Sequence, residues 1–249
     1  MGPMPRATAN GIELEYETFG DRKAAPLLLI SGLGSQMIGW DDDFCRLLAG
    51  RGFHVIRFDN RDAGLSTWME REYRLDDMAA DAVGLLDALG IPAMSGPNGD
   101  DQVRPTDEGT AVLMAPAPDT REERIAVGLW AKQKLLGSAD PFNEQYEALR
   151  ITRAIDRAYH PAGFVRQLQA IMAANGRLAR LAHVRVPTLV IHGADDILVP
   201  VENGRNVAAA IPGARYVEIE GMGHDVPRRV WAQVADAIAE LAGSASHAC

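Results

Sequence analysis

A short apolar run that ends in two carboxylates constrains the fold more than any other part of the sequence. Residues 188–191 are too few for a helix, and they are rich enough in β-branched side chains for a buried strand. Gly193 ends the run in a polar turn that carries Asp195 and Asp196. A strand of this kind presents its carboxylates at the C-terminal edge of a sheet.

A histidine follows the next predicted strand. Residues 214–219 have the pattern of a strand, and the loop after them places His224 behind Gly221 and Gly223. Open α/β sheets bind their ligands at the carboxyl ends of parallel strands, so the acid and the histidine are expected at the same edge. The chain order, acid and then histidine, is that of the α/β-hydrolases.

Two segments resemble a known family. Residues 192–200, HGADDILVP, and residues 221–224, GMGH, are similar to the acid and histidine loops of α/β-hydrolase esterases of the aclacinomycin methylesterase type. The resemblance implies that Asp196 is the triad acid, three residues after Gly193, and that His224 is the triad histidine, whereas Asp195 is a bystander. It covers nearly the whole chain, and it implies an α/β-hydrolase-like fold with a mostly parallel sheet, flanking helices and a helical cap.

The loop after the first predicted parallel strand resembles the oxyanion loop of the family. An apolar run at residues 26–30 is followed by Ser31, Gly32, Leu33, Gly34 and Ser35. The resemblance implies that amides of Gly32 and Leu33 receive an oxyanion, with Ser31 where histidine is common. Alternatively, these glycines serve only a tight turn.

The segment that should carry the nucleophile is missing. No five-residue window of the sequence fits G-x-S-x-G. Residues 94–97 resemble the polar stretch that follows the nucleophile unit, so we place the gap between Ile91 and Met94. The lost strand, its helix and the next strand amount to roughly 30 residues. Ser95 is a poor replacement nucleophile, because Gly96 and Pro97 favour a turn and no helix start follows it.

The remaining pattern predicts one domain, residues 1–249, with residues 95–175 as a helical cap insertion. Residues 12–18 alternate as an antiparallel edge strand does. Helical patterns cover residues 40–48, 76–89, 122–136, 143–158, 164–174 and 230–241. Loss of the nucleophile unit would leave two buried strand edges, at residues 27–30 and 188–191. We expect them to pair directly, or to exchange strands with a second copy in a homodimer.

Composition excludes several classes of partner. A net charge of −9 with scattered arginines argues against nucleic acid, and no apolar run is long enough to span a membrane. Two cysteines make no disulfide framework, so we expect a cytoplasmic protein. The six histidines lack the spacing of a zinc site, and we expect no cofactor.

Two classes of function remain open. The chain is either a reduced ester hydrolase with an incomplete triad, in which His224 activates water against a small ester or acyl compound, or a non-catalytic relative that binds a small apolar ligand under the cap. Retention of Asp196 and His224 favours the hydrolase, and loss of the G-x-S-x-G turn that carries the nucleophile favours the binding protein.

Overall fold

The strands form two sheets in the computed structural model, which describes residues 5–91, 104–174 and 177–245. The strands are β1 (Arg6–Ala9), β2 (Ile12–Phe19), β3 (Ala25–Leu29), β4 (Phe53–Phe58), β5 (Leu189–Gly193) and β6 (Arg215–Ile219). The first sheet has the order β1-β2-β4-β3, and the second joins β5 to β6. The pairs β3–β4 and β5–β6 are parallel, whereas β1–β2 and β2–β4 are antiparallel.

Helices lie at all six predicted ranges, with ends that differ by a few residues, and the described residues contain three more α-helices that the helical patterns did not cover. In chain order, the helices are α1 (Asp42–Gly50), α2 (Leu75–Ala88), α3 (Asp107–Leu113), α4 (Arg121–Leu135), α5 (Glu144–Arg157), α6 (Pro161–Ala173), α7 (Arg177–Leu181), α8 (Val201–Ala210) and α9 (Trp231–Ala245). Local chemistry fixes where α4 begins. The hydroxyl of Thr120 accepts the Glu123 amide hydrogen at 3.2 Å, and the Glu123 carboxylate accepts the Thr120 amide hydrogen at 3.3 Å.

The N-terminal hairpin corrects one expectation. Strand β2 is antiparallel, as predicted, but it lies between β1 and β4 and is not an edge strand. Asn10 and Gly11 both have positive φ, +49° and +78°, and they form the two-residue turn that returns β1 onto β2. Asn-Gly is the strongest short-range hairpin signal, so the sequence carried this information.

The chain divides into two compact units. The first comprises Met1–Ser95 and Arg153–Ala174, and the second comprises Gly96–Thr152 and Asn175–Cys249. The first unit contains the four-stranded sheet, and the second contains β5 and β6. The assignment of residues 95–175 to a cap insertion in one domain stays a prediction.

The expected pairing of the two strand edges is wrong for the described strands. Strand β3 pairs only with β4, and β5 pairs only with β6. Pro26 in β3 has no N–H to donate, and proline is typical of strands at the edge of a sheet. A strand with neighbours on both sides uses its N–H groups in pairing, so the missing donor of Pro26 suits β3 to an edge position.

Each unit has its own apolar core. In the first, Leu14 of β2 and Phe58 of β4 pack with Leu85 of α2, and none of the three is exposed. In the second, Leu181, Val184 and Ile211 form a buried cluster. Burial of each large apolar side chain contributes about 1.5–3 kcal/mol to folding. Within the described residues, none of the helices has the length and apolar character needed to span a bilayer.

Candidate active site

Asp196 is a buried carboxylate held by its own turn. It is 8% exposed, and its Oδ1 atom accepts the amide hydrogens of Leu198 at 2.9 Å and Val199 at 2.8 Å. Strand β5 places the turn, because Asp196 follows three residues after the strand ends at Gly193. Two backbone donors on one oxygen fix the carboxylate and leave Oδ2 for another partner.

That partner is His224. The His224 Nδ1 atom lies 2.9 Å from Oδ2 of Asp196, so an ionised carboxylate receives the Nδ1 hydrogen. The other ring nitrogen, Nε2, is then the basic one. The His224 side chain is 37% exposed, which leaves the ring accessible to a small molecule. The structure thus brings together the two residues that the sequence assigned to a triad.

The surroundings of His224 favour its charged form. Burial lowers the pKa of His224, but the hydrogen bond to Asp196 and the charges of Asp196 and Asp225 outweigh burial and raise the pKa above its ordinary value. Lys132 opposes them, and its ammonium group binds both carboxylate oxygens of Asp225 at 3.0 and 2.8 Å. The positive charge of Lys132 therefore partly offsets the increase in the pKa of His224 that the two carboxylates cause.

The connection between α4 and α5 clamps the histidine loop on both sides of His224. The Gly223 amide donates to the Leu136 carbonyl at 3.1 Å, and the Asp225 amide donates to the Leu135 carbonyl at 3.1 Å. These bonds fix the backbone immediately before and after the histidine. The sequence alone gave no sign of this contact, because the segments are almost 90 residues apart.

Three glycines allow these backbones to approach each other. A Cβ atom on Gly193 would lie 2.2 Å from the Gly223 carbonyl oxygen, and one on Gly223 would lie 2.3 Å from the Leu135 carbonyl oxygen. A Cβ atom on Gly137 would lie 2.3 Å from the Gly223 amide nitrogen. Since real Cβ atoms do not approach backbone so closely, glycine is required here by packing.

Asp195 links the turn after β5 to the connection between α4 and α5. Its Oδ2 atom accepts the Ser138 amide hydrogen at 2.9 Å, and its own amide donates to the Met222 carbonyl at 2.9 Å. Hydrogen bonds from the Ser138 hydroxyl and amide lower the pKa of Asp195. His224 is hydrogen-bonded to Asp196 and Ser138 to Asp195, so the two neighbouring carboxylates have different partners.

The predicted oxyanion loop belongs to the first unit. It forms a turn in which the Ser35 amide donates to the Gly32 carbonyl at 3.1 Å, and the Gly34 amide donates to Gln167 Oε1 at 2.7 Å. Hydrogen bonds among the described residues do not engage the amides of Gly32 and Leu33. The assignment of these two amides to an oxyanion stays a prediction.

Of the other serines considered, Ser66 is a structural residue. Its hydroxyl donates to the Asp59 carbonyl at 2.6 Å and accepts the Glu15 amide hydrogen at 2.9 Å. Ser95, the replacement nucleophile weighed above, lies outside the described residues. Among the described side chains, no group of three histidines, cysteines or carboxylates is arranged to hold a metal ion.

Curated relatives extend over almost the whole chain, although no protein-family model matches it. A rhodomycin D methylesterase from a Streptomyces species is 30% identical over 291 residues, which cover 95% of this chain and 97% of the relative. Another rhodomycin D methylesterase, from Streptomyces peucetius, is 28% identical with the same coverage of both chains.

Two solved structures illustrate the fold that the chain shares. The enol-lactonase of Burkholderia xenovorans has a TM-score of 0.73 at 23% identity and covers 96% of this chain and 100% of its own. A meta-cleavage product hydrolase of Pseudomonas fluorescens has a TM-score of 0.77 at 18% identity, with coverage of 97% and 98%. With the Asp196–His224 geometry and the extent of the similarity to the methylesterases, these findings identify the chain as a member of the α/β-hydrolase family.

Proposed function

We propose that the chain is a reduced carboxylic-ester hydrolase in which Asp196 orients His224 and His224 activates a water molecule. The observation that carries the proposal is the 2.9 Å hydrogen bond from His224 Nδ1 to Asp196 Oδ2. It fixes the tautomer in which Nε2 is unprotonated, and it stabilises the imidazolium ion that forms when Nε2 accepts a proton.

The reaction needs one base and one water molecule. His224 Nε2 removes a proton from water as the oxygen adds to the ester carbonyl carbon, which gives a tetrahedral oxyanion and an imidazolium ion. The oxyanion then expels the alcohol oxygen, which takes the proton back from Nε2. The carboxylic acid and the alcohol are released, and His224 is neutral again.

The absence of a serine nucleophile is part of the proposal. The sequence has no G-x-S-x-G window. The alignment to the Streptomyces methylesterase, 291 residues, is longer than this chain of 249, so the relative has residues with no counterpart here. This excess supports a lost segment. Hydrolases deprived of triad residues retain roughly 10³–10⁴-fold catalysis over water, which we take as an upper limit here.

The names of two relatives support a proposal for the substrate class. Because two of them are named methylesterases, we propose a methyl ester of a small organic acid as the substrate. Action on a small soluble compound in the cytoplasm, without nucleic acid, membrane or cofactor, belongs to the same proposal.

The second candidate is a non-catalytic protein that binds a small apolar ligand. Loss of G-x-S-x-G favours it, since the usual nucleophile and the oxyanion donor after it are lost together. On this reading Asp196 and His224 preserve the loop structure and do no chemistry.

Hydrolysis of p-nitrophenyl acetate by the wild type, His224→Ala and Asp196→Asn separates the two candidates. His183→Ala is the matched control, because His183 is an exposed histidine of the same unit. We expect hydrolysis to fall to background in His224→Ala, to fall in Asp196→Asn, and to be unchanged in His183→Ala. Equal rates in all four proteins would leave only the binding function.

A fluorophosphonate probe with intact-mass detection tests the nucleophile. We expect no labelled serine, because catalysis is proposed to use water directly. Stoichiometric labelling of Ser95, or of another serine, would contradict the water mechanism and show that a nucleophile survives.

A further inference from the structure

His192 is a nearly buried histidine beside the Asp196 turn. It lies in β5, and its side chain is 11% exposed. Its Nε2 atom lies 2.7 Å from the Val199 carbonyl oxygen and 3.5 Å from Asp196 Oδ2. A carbonyl oxygen can only accept, so Nε2 carries a hydrogen and donates it to Val199.

Both backbone polar groups of Val199 are hydrogen-bonded to side chains. Its amide donates to Asp196 Oδ1 at 2.8 Å, and its carbonyl accepts from His192 at 2.7 Å. The residue that orients the triad acid is therefore itself fixed by His192. His192 lies in β5, and the turn that follows this strand carries the Asp196 carboxylate.

The neighbouring helix is shaped to admit the imidazole. A Cβ atom on Gly204 of α8 would lie 2.4 Å from Nδ1 of His192 and 2.9 Å from its Cβ atom. Gly204 is buried inside the helix, where glycine costs about 0.5–1 kcal/mol relative to alanine. The ring thus occupies the space that an alanine side chain would fill.

Two carboxylates lie near the His192 ring. One is Asp196, and the other is Glu218 of β6, whose pKa is lowered mainly by its hydrogen bond with Arg205 and to a small extent by His192. Glu218 is bound by Arg205 at 2.9 and 2.7 Å and by the Tyr216 hydroxyl at 2.8 Å. Because Glu218 is bound by these two residues, the hydrogen bond that His192 donates goes to Val199, in the turn that carries Asp196.

We propose that His192 is a positioning residue for the Asp196–His224 pair, which acts by donating a hydrogen bond to the Val199 carbonyl. It does not contact the reacting atoms, and it acts through the orientation of Asp196. The catalytic consequence rests on the proposed hydrolase function, whereas the effect on the pair itself is measurable without substrate.

The test follows the ring nitrogens of His224 by NMR during a pH titration of the full chain. The variants are His192→Leu, which removes the donor, His192→Gln, which retains an N–H donor of similar reach, and Gly204→Ala, which displaces the ring. Gly243→Ala is the control, since a Cβ atom on Gly243 meets nothing within 4 Å.

We expect His192→Leu and Gly204→Ala to weaken the hold of Asp196 on His224. The acid dissociation constant of the His224 imidazolium should then rise about three- to tenfold, a lowering of its pKa by about 0.5–1. His192→Gln and Gly243→Ala should match the wild type. Folding is checked independently by urea unfolding, and where His192→Leu does not fold, Gly204→Ala decides.

An unchanged His224 titration in a folded His192→Leu or Gly204→Ala protein would overturn the inference. Failure of His192→Gln to restore the wild-type titration would also contradict it, because the proposed role is that of a donor. A wild type without His224-dependent hydrolysis would overturn the proposed function and leave the NMR result to decide this inference. If hydrolysis occurs, kcat should fall in His192→Leu with KM little changed.

Discussion

Gly137 lies so close to Gly223 that a methyl group on Gly137 would be 2.3 Å from the Gly223 amide nitrogen. The backbone of the α4–α5 connection thus packs directly against the backbone of the loop that carries the candidate catalytic histidine. This contact also makes the position of His224 depend on a residue that has no chemistry of its own.

Gly137→Ala should therefore destabilise the protein and displace His224. Gly137 has a φ of +97°, where a side chain is strained by about 1–3 kcal/mol, and the clash with Gly223 adds to that cost. The matched control is Gly213→Ala, because Gly213 has a φ of +77° but open space around it. Urea unfolding should show a clearly larger loss for Gly137→Ala, and equal losses would contradict the packing argument.

Activity and stability should respond to pH in opposite directions through His224. Since the pKa of His224 is raised in the folded protein, its contribution to stability is fully present below its unfolded pKa and is lost as pH rises through its folded pKa. Catalysis needs the neutral base, so the hydrolysis rate should rise over the same range. Urea midpoints and pH–rate curves of wild type and His224→Gln measure both trends, and a wild-type rate that falls as pH rises would argue against a base role.

Asp195→Ala should loosen the segment that clamps the histidine loop. The variant removes the acceptor of the Ser138 amide and hydroxyl, and a hydrogen bond to a charged group contributes about 1.5–3 kcal/mol. Because the pKa of Asp195 is lowered, this stabilisation is present above its unfolded pKa and is lost as pH falls through its folded pKa. Urea unfolding of Asp195→Ala, Ser138→Ala and the double variant should show non-additive losses, whereas full additivity would show that the residues act separately.

Substitution of Asp62 should strongly destabilise the first unit. Its carboxylate is fully buried, binds Arg166 through two hydrogen bonds of 2.8 and 2.9 Å, and accepts the Met69 amide hydrogen at 2.7 Å. Its φ is +66°, which asparagine tolerates better than alanine. We expect Asp62→Ala to cost about 3 kcal/mol, with a smaller cost for Asp62→Asn, in thermal and urea unfolding. Equal costs would show that neither backbone strain nor the Met69 contact matters.

The edge of β3 is the expected site of homodimer formation by strand exchange. Ile30, directly after the strand, is 54% exposed, and an uncovered strand edge is a template for pairing. Light scattering over a range of concentrations should detect a dimer that Ile30→Lys weakens without a loss of folding. A strictly monomeric wild type would exclude this mode of association.

The sequence by itself determined the local elements. Short runs of apolar and β-branched residues followed by glycine-containing loops specify β3, β5 and β6, because a strand needs only a few consecutive residues of this kind. The positions of Asp196 and His224 follow from the turns after two such strands. The hairpin of β1 was also present in the sequence, in Asn10 and Gly11, and the edge-strand interpretation of residues 12–18 overlooked it.

The tertiary structure alone decided how the site is held. The contact of Gly137 with Gly223 joins residues almost 90 positions apart, and no local periodicity encodes such a pair. Only the folded chain reveals that Val199 sits between His192 and Asp196, because the pattern of strand and turn does not specify which side chain folds back onto which carbonyl. Strand pairing likewise depends on which edges meet in space, so the expected pairing of β3 with β5 could not be settled by the composition of either strand. Local propensity acts between neighbours in the chain, whereas packing and hydrogen bonding act between neighbours in space.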